Sequence, residues 1–162
     1  MFTILGVDPG SSCTGFGVIK GDGDAFEYVH SGVITLRRGD GKHDKLKTIF
    51  LEIEALIQRF SPTHCSIENV FYSKNPKSML VLGEARGAAM LAAALSGVPV
   101  FEYSAREVKQ AVTGNGAADK SQVQFMLRKI LNLSKPLAKM DESDALAIAL
   151  CHAFRQREWS AR

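Results

Sequence analysis

Thr3-Ile4-Leu5-Gly6-Val7-Asp8-Pro9-Gly10, followed by Cys13-Thr14-Gly15-Phe16-Gly17-Val18-Ile19, decides the fold. The first stretch is an apolar run closed by a Pro-Gly turn. It predicts a buried strand with a carboxylate, Asp8, at its end. The second stretch predicts a neighbouring strand, and residues 28–36 alternate well enough for a third. Turns this short make the three an antiparallel meander. Further along, the period changes. Leu46, Ile49, Phe50, Ile53, Leu56, Ile57 and Phe60 recur at helical spacing, and Ser61-Pro62 ends that helix. Residues 64–70 predict a fourth strand, 72–75 a loop, 78–95 an alanine- and leucine-rich helix, and 98–103 a fifth strand. Ser104 with Glu107 three residues later forms a capping-box pattern that opens a short helix. A loop at 113–116 precedes helices over 119–131 and 141–155. Three strands, then helices alternating with strands, predict an α/β domain: a five-stranded mixed sheet flanked by helices, with residues 1–162 as one domain.

Composition narrows the function classes. The chain has 162 residues, 46% hydrophobic and 23% charged, which excludes a disordered chain, a fibre or a disulfide knot. The longest apolar run, residues 88–95, falls far short of the ~18 residues of a membrane span. The N-terminus lacks the basic region of a secretory signal. Cys13, Cys65 and Cys151 are odd in number and far apart, which reads as reduced thiols in a cytoplasmic protein. Residues 74–139 carry 10 basic and 4 acidic side chains. Such a field attracts a polyanion, although a solvated lysine surface accounts for the same count equally well.

The acids carry the chemistry. Asp8 and Glu68 stand at the ends of apolar strands, where a carboxylate needs water, a partner or a cation. Taken singly, each has a bland explanation, a turn cap or a surface strand end. Asp141 and Asp144 are three residues apart and share one face of a helical turn. Capping and the helix dipole favour acids there in any protein. The helix that follows, residues 145–151, is apolar on every side, so its start opens at the core. If the four acids converge, they repel one another unless cations neutralise them. An all-oxygen set suits Mg²⁺, with Mn²⁺ able to substitute, and two such ions would match the four carboxylates. Paired metals activate a water and stabilise the leaving oxygen in phosphodiester cleavage. His64, Cys65, Cys151 and His152 read as core or surface filler and not as a soft-metal site.

The residues Ile4-Leu5-Gly6-Val7-Asp8-Pro9-Gly10-Ser11, Thr14-Gly15-Phe16-Gly17-Val18-Ile19, Ile67-Glu68-Asn69-Val70-Phe71, Leu82-Gly83-Glu84-Ala85-Arg86-Gly87, Lys120-Ser121-Gln122-Val123-Gln124 and Asp144-Ala145-Leu146-Ala147-Ile148-Ala149 together resemble the RuvC family of bacterial Holliday-junction resolvases. The resemblance covers nearly the whole chain in order. It implies a ribonuclease-H-like fold, a homodimer, and Mg²⁺-dependent nicking of two opposed strands of a four-way DNA junction in recombination and repair. It also implies RuvA and RuvB as branch-migration partners. The family's catalytic and metal-binding acids fall on Asp8, Glu68, Asp141 and Asp144, its active-site lysines on Lys109 and Lys120, and its base-acting aromatic on Phe71. Glu84, in place of an expected Gln, and the additional Glu142 depart from the pattern and add negative charge beside the DNA-facing region.

Phe71 heads a polar loop with Tyr72, Lys74, Asn75 and Lys77, a stacking platform beside phosphate contacts; a core Phe at a strand end is the bland alternative. Lys109 and Lys120 would offset charge developing on the scissile phosphate, or else are exposed helix lysines. The Gly114-Asn115-Gly116 loop lets backbone approach a phosphate, and Arg86 joins Asn115 among the expected DNA contacts. Arg106, Arg128, Lys129, Lys135 and Lys139 supply general electrostatics. The apolar face of the helix over 79–95 is the candidate dimer surface. Three other readings compete. Gly114 to Ser121 has P-loop spacing, but Asp119 stands where glycine should precede Lys-Ser. Asp8 to Ser11 resembles the first phosphate loop of actin-like ATPases, although 162 residues are too few for their paired domains. A non-catalytic binder of branched DNA would gain nothing from four acids that repel phosphate.

Overall fold

The computed structural model describes residues 1–23, 25–69 and 75–160, with side chains as far as residue 156. Its elements run β1 (Phe2–Asp8), β2 (Cys13–Asp22), β3 (Ala25–Thr35), α1 (Lys42–Phe60), β4 (His64–Glu68), α2 (Pro76–Leu95), β5 (Val100–Tyr103), α3 (Ala105–Thr113), α4 (Lys120–Ile130) and α5 (Met140–Ser160). The strands form one mixed five-stranded sheet in the order β3-β2-β1-β4-β5. β1 to β3 are the antiparallel meander that the short turns predict. β4 and β5 return parallel to β1, which requires the crossovers made by α1 and α2.

Where boundaries differ from the sequence reading, local chemistry explains it. α2 starts at Pro76 because the Asn75 side chain accepts from the Lys77 and Ser78 amides while Pro76 supplies a preset first-turn φ. β5 starts at Val100: the Val98 amide is bonded to the Ala93 carbonyl at the end of α2, and Pro99 has no amide to donate. β3 begins earlier than its alternation predicts, with Phe26 packed edge-on against Phe154 of α5 at 5.1 Å between centroids. The capping box of Ser104 and Glu107 is present, and Asp119 with Gln122 forms a second at α4.

Both faces of the sheet are covered. α1 and α2 bury Leu5, Val7, Phe16, Val18, Cys65 and Ile67 from one side. α5, with α3 and α4, buries Ile4 and Ile19 from the other. By length and composition α2 could cross a membrane. Its Ala85, Ala89, Ala92 and Ala93 are nevertheless buried in the core, and its Glu84 and Arg86 are both ion-paired, to Lys42 and Glu102.

α5 lies against β1 and β2 because those strands present glycine to it. A Cβ on Gly6 would strike the Ala145 carbonyl and Ala149, and one on Gly15 would strike the Asp141 carbonyl. The rings of His64, Phe101 and Tyr103 pack around His152 and hold the later turns of α5 to β4 and β5, and the Tyr103 hydroxyl lies 2.7 Å from His152 Nδ1. The two histidines therefore serve packing. Burial pushes His152 down to about 4, so it is neutral at physiological pH.

Candidate active site

Register brings the first two acids together. Val7 pairs with Ile67, so the next residues on the two parallel strands are Asp8 and Glu68. Neighbouring strands lie about 4.8 Å apart. Along β1, Ile4 and Gly6 face α5 while Leu5 and Val7 face α1 and α2, and the same alternation turns Asp8 toward α5. β4 follows suit: the Ser66 hydroxyl donates to the Ile148 carbonyl of α5 at 3.3 Å, and Glu68 is two residues further on.

The second pair arrives on the first turn of α5. Asp8 opposes Gly15 across β1 and β2, and Gly15 leaves room only for the Asp141 backbone. A side chain at Gly15 would lift Asp141 and Asp144 away from the strand ends. The Cys13 thiol lies 3.5 Å from Asp141 Oδ1. Lys120, at the start of α4, places Nζ 3.0 Å from Asp144 Oδ2.

The electrostatics follow from this crowding. Asp8 is pushed from its ordinary 3.8 to about 7, first by burial and then by Glu68, Asp144 and Asp141, with Lys120 pulling the other way. Burial and Asp144 also push Glu68 upward, opposed by Lys120 and Lys109. Lys120 is raised in turn by Asp144, so it stays protonated. Lys109 is half-buried on α3, near enough for its charge to act on Glu68.

The donor set fits a hard divalent cation. Oxygen is the donor of all four acids, and the burial and then the mutual repulsion that push Asp8 up to about 7 are what such an ion offsets. As the side chains stand, no group of three among the described residues is arranged to hold a metal. The cation beside Asp144 is the Lys120 ammonium.

The remaining expected residues divide three ways. Phe71, Tyr72 and Lys74 lie outside the described residues. Lys77 is exposed at the start of α2, and the Asn115 side chain accepts from the Ala117 amide at 3.0 Å and shapes the α3–α4 loop. Arg86 is mostly covered and ion-paired with Glu102 on β5. The two additional acids do not stand as bare charges. Lys42 pairs with Glu84 at 2.9 Å, and Glu142 accepts from the Ser31 hydroxyl at 2.8 Å, which in turn lies 3.1 Å from the Tyr28 hydroxyl. Glu142 therefore ties the first turn of α5, between Asp141 and Asp144, to edge strand β3. That tie spans 111 positions and has no local sequence signal.

A mixed sheet with carboxylates at the ends of its central strands, met by acids and a lysine from the helix laid across it, defines an acid-clustered phosphodiesterase. Known proteins make the class specific. Residues 4–152 match the family described as crossover junction endodeoxyribonuclease RuvC. The chain is 52% identical over 158 residues to the crossover junction endodeoxyribonuclease RuvC of Pseudoalteromonas translucida, covering 97% of this chain and 89% of that one. It is 55% identical over 155 residues to that of Marinobacter nauticus, covering 94% and 86%. A solved structure of Thermus thermophilus RuvC in complex with Holliday junction substrate superposes with a TM-score of 0.94 at 32% identity, over 99% of this chain and 98% of that one. The yeast mitochondrial resolvase Ydc2, at 11% identity and a TM-score of 0.68, shares the fold. The chain belongs to the RuvC family of crossover junction endodeoxyribonucleases, metal-dependent nucleases of ribonuclease-H-like fold that resolve Holliday junctions in recombination and repair.

Proposed function

We propose that Asp8, Glu68, Asp141 and Asp144 hold the metal of this nuclease, that it is Mg²⁺ with Mn²⁺ able to replace it, and that two ions serve each site. The observation that carries this is the β1–β4 register that sets Asp8 beside Glu68, together with the coupling of both to Asp144. Bound there, the cations would supply the positive charge that admits a phosphodiester and would activate the attacking water. The chain's own residues do the rest. The strand-end acids Asp8 and Glu68 are fixed by the backbone pairing of β1 and β4. Lys120 holds Asp144 in place and presents a permanent positive charge to the departing oxygen. Lys109 adds a second positive charge on the Glu68 side.

The DNA path runs from this site over the α3–α4 loop and the start of α2, with Asn115, Lys77 and Lys120 as contacts. Phe71, Tyr72 and Lys74 complete the set on the strength of their positions in sequence. Arg86 reaches DNA only by leaving Glu102. A single nuclease domain carries one active site, so two opposed nicks require two copies. α2 offers the surface for a second copy. Leu80, Leu91 and Leu95 are 63%, 53% and 70% exposed there, and Gly83 and Gly87 leave open space for a close approach. RuvA and RuvB are the expected partners in moving the junction, in the cytoplasm.

A strand-nicking assay on a synthetic four-way junction tests the reading. Paired nicks with Mg²⁺ or Mn²⁺, none in EDTA, and little cutting of linear duplex support it. Cutting that persists in EDTA overturns it.

A further inference from the structure

Phe125 stands on α4, 60% exposed to solvent. It is five residues beyond Lys120, about 7.5 Å along the helix axis. With Met126 it forms the apolar part of a groove of about 440 Å³, whose other lining residues are Thr113, Asn115, Ser121 and Gln122. Hydroxyls and amides therefore surround a flat aromatic face. The loop side of the groove is braced: the Thr113 hydroxyl donates to the Lys109 carbonyl at 2.8 Å, and the Gln110 side chain bonds both the Gly114 carbonyl and the Gly116 amide. Asp119 at the mouth of α4 is occupied in capping, accepting from the Ser121 hydroxyl at 2.6 Å and the Gln122 amide at 2.9 Å. The charges on the helix are otherwise positive. Lys129 Nζ lies 5.7 Å from the centroid of the Phe125 ring, Arg128 is next to it in sequence, and Lys120 reaches into the acid cluster.

A nucleobase has the chemistry this groove accepts, with a π-face to stack and polar edges to meet hydroxyls and amides, joined to a phosphate that the lysines attract. We infer that the Phe125 groove receives a base of the substrate DNA, stacked on the Phe125 ring, with Lys129 on the adjoining phosphate. Nothing in the sequence marks this site, because Phe125 stands in a helix whose apolar positions otherwise read as core. The inference rests on the chain being a junction endonuclease and adds a substrate contact beyond its acids and lysines.

The test uses the full chain in EDTA, where it binds without cutting. Four-way junctions carry 2-aminopurine at successive positions around the cleavage site, and anisotropy gives affinity. Phe125→Ala and Phe125→Leu should each weaken junction binding between about 5-fold and 100-fold, while Phe125→Tyr stays within about 3-fold of the parent. Quenching of 2-aminopurine at one position near the cut should disappear in the Ala variant and persist in the Tyr variant. Thermal stability should hold in all three, since the ring is largely exposed. Unchanged affinity and quenching in Phe125→Ala would overturn the inference, as would Tyr binding as poorly as Ala. Loss of self-association without DNA in Phe125→Ala would reassign the ring to a protein contact. If the parent chain itself bound the junction no better than linear duplex, the functional reading would fail instead.

Discussion

Replacing Asp8 by Asn should stabilise the metal-free protein at alkaline pH while abolishing its activity. Asp8 is pushed from an ordinary 3.8 to about 7, chiefly by burial and then by Glu68, Asp144 and Asp141. The folded state thus holds this proton more tightly than the unfolded chain does. The resulting stability is complete below pH 3.8 and is lost as the pH rises through about 7. At pH 8 an ionised Asp8 therefore costs the fold on the order of 4 kcal/mol. Water reaching the site past exposed Lys120 screens part of that, leaving about 2–4 kcal/mol. For a domain of this size each kcal/mol moves Tm by roughly 2–4 °C. In EDTA at pH 8, Asp8→Asn should melt roughly 5–15 °C above the parent, and the gap should close to within about 2 °C near pH 4. With saturating Mg²⁺ the order should reverse, since the parent gains binding energy that the variant lacks. Unfolding scans across pH, with and without metal, measure this directly. A variant no more stable than its parent at pH 8, or a gap that ignores pH, would refute the crowding of acids around Asp8.

Three further outcomes are expected. Lys120→Met should slow nicking about 10²- to 10³-fold with little loss of junction affinity, as single-turnover rates and anisotropy would show. Glu142→Ala removes the acceptor for Ser31 and should cost about 1–2 kcal/mol in urea unfolding; it should also raise the Mg²⁺ concentration needed for half-maximal nicking. Glu142→Gln, which keeps an accepting oxygen, should restore most of both. Leu91→Glu should convert the protein to a monomer in sedimentation equilibrium, with circular dichroism showing it still folded and its Tm no longer dependent on protein concentration; a dimer that survives would move the interface away from α2.

The parts of this protein legible in its sequence are those fixed by local chemistry. The apolar run into Asp8, the helical spacing of Ile49, Ile53 and Ile57, and the capping box at Ser104 each carry their signal within a few residues. The acids could be named because each breaks such a pattern at its end. What stayed hidden is long-range pairing. Ser31 with Glu142, Lys42 with Glu84 and Arg86 with Glu102 join distant segments, and only the packed fold shows that these charges are engaged. The reason for Gly6 and Gly15 was also out of reach, since it is the path of α5 across them. The capping box of Asp119 and Gln122 has a local signal too, but the same Asp119 lies in a stretch with P-loop spacing.

Anomalous diffraction from crystals soaked in Mn²⁺ measures the central claim most directly. Manganese peaks in contact with carboxylate oxygens of Asp8 and Glu68 and of the α5 acids are expected, and they should vanish in Asp8→Asn. Manganese bound elsewhere, with these four side chains untouched, would contradict the role assigned to them.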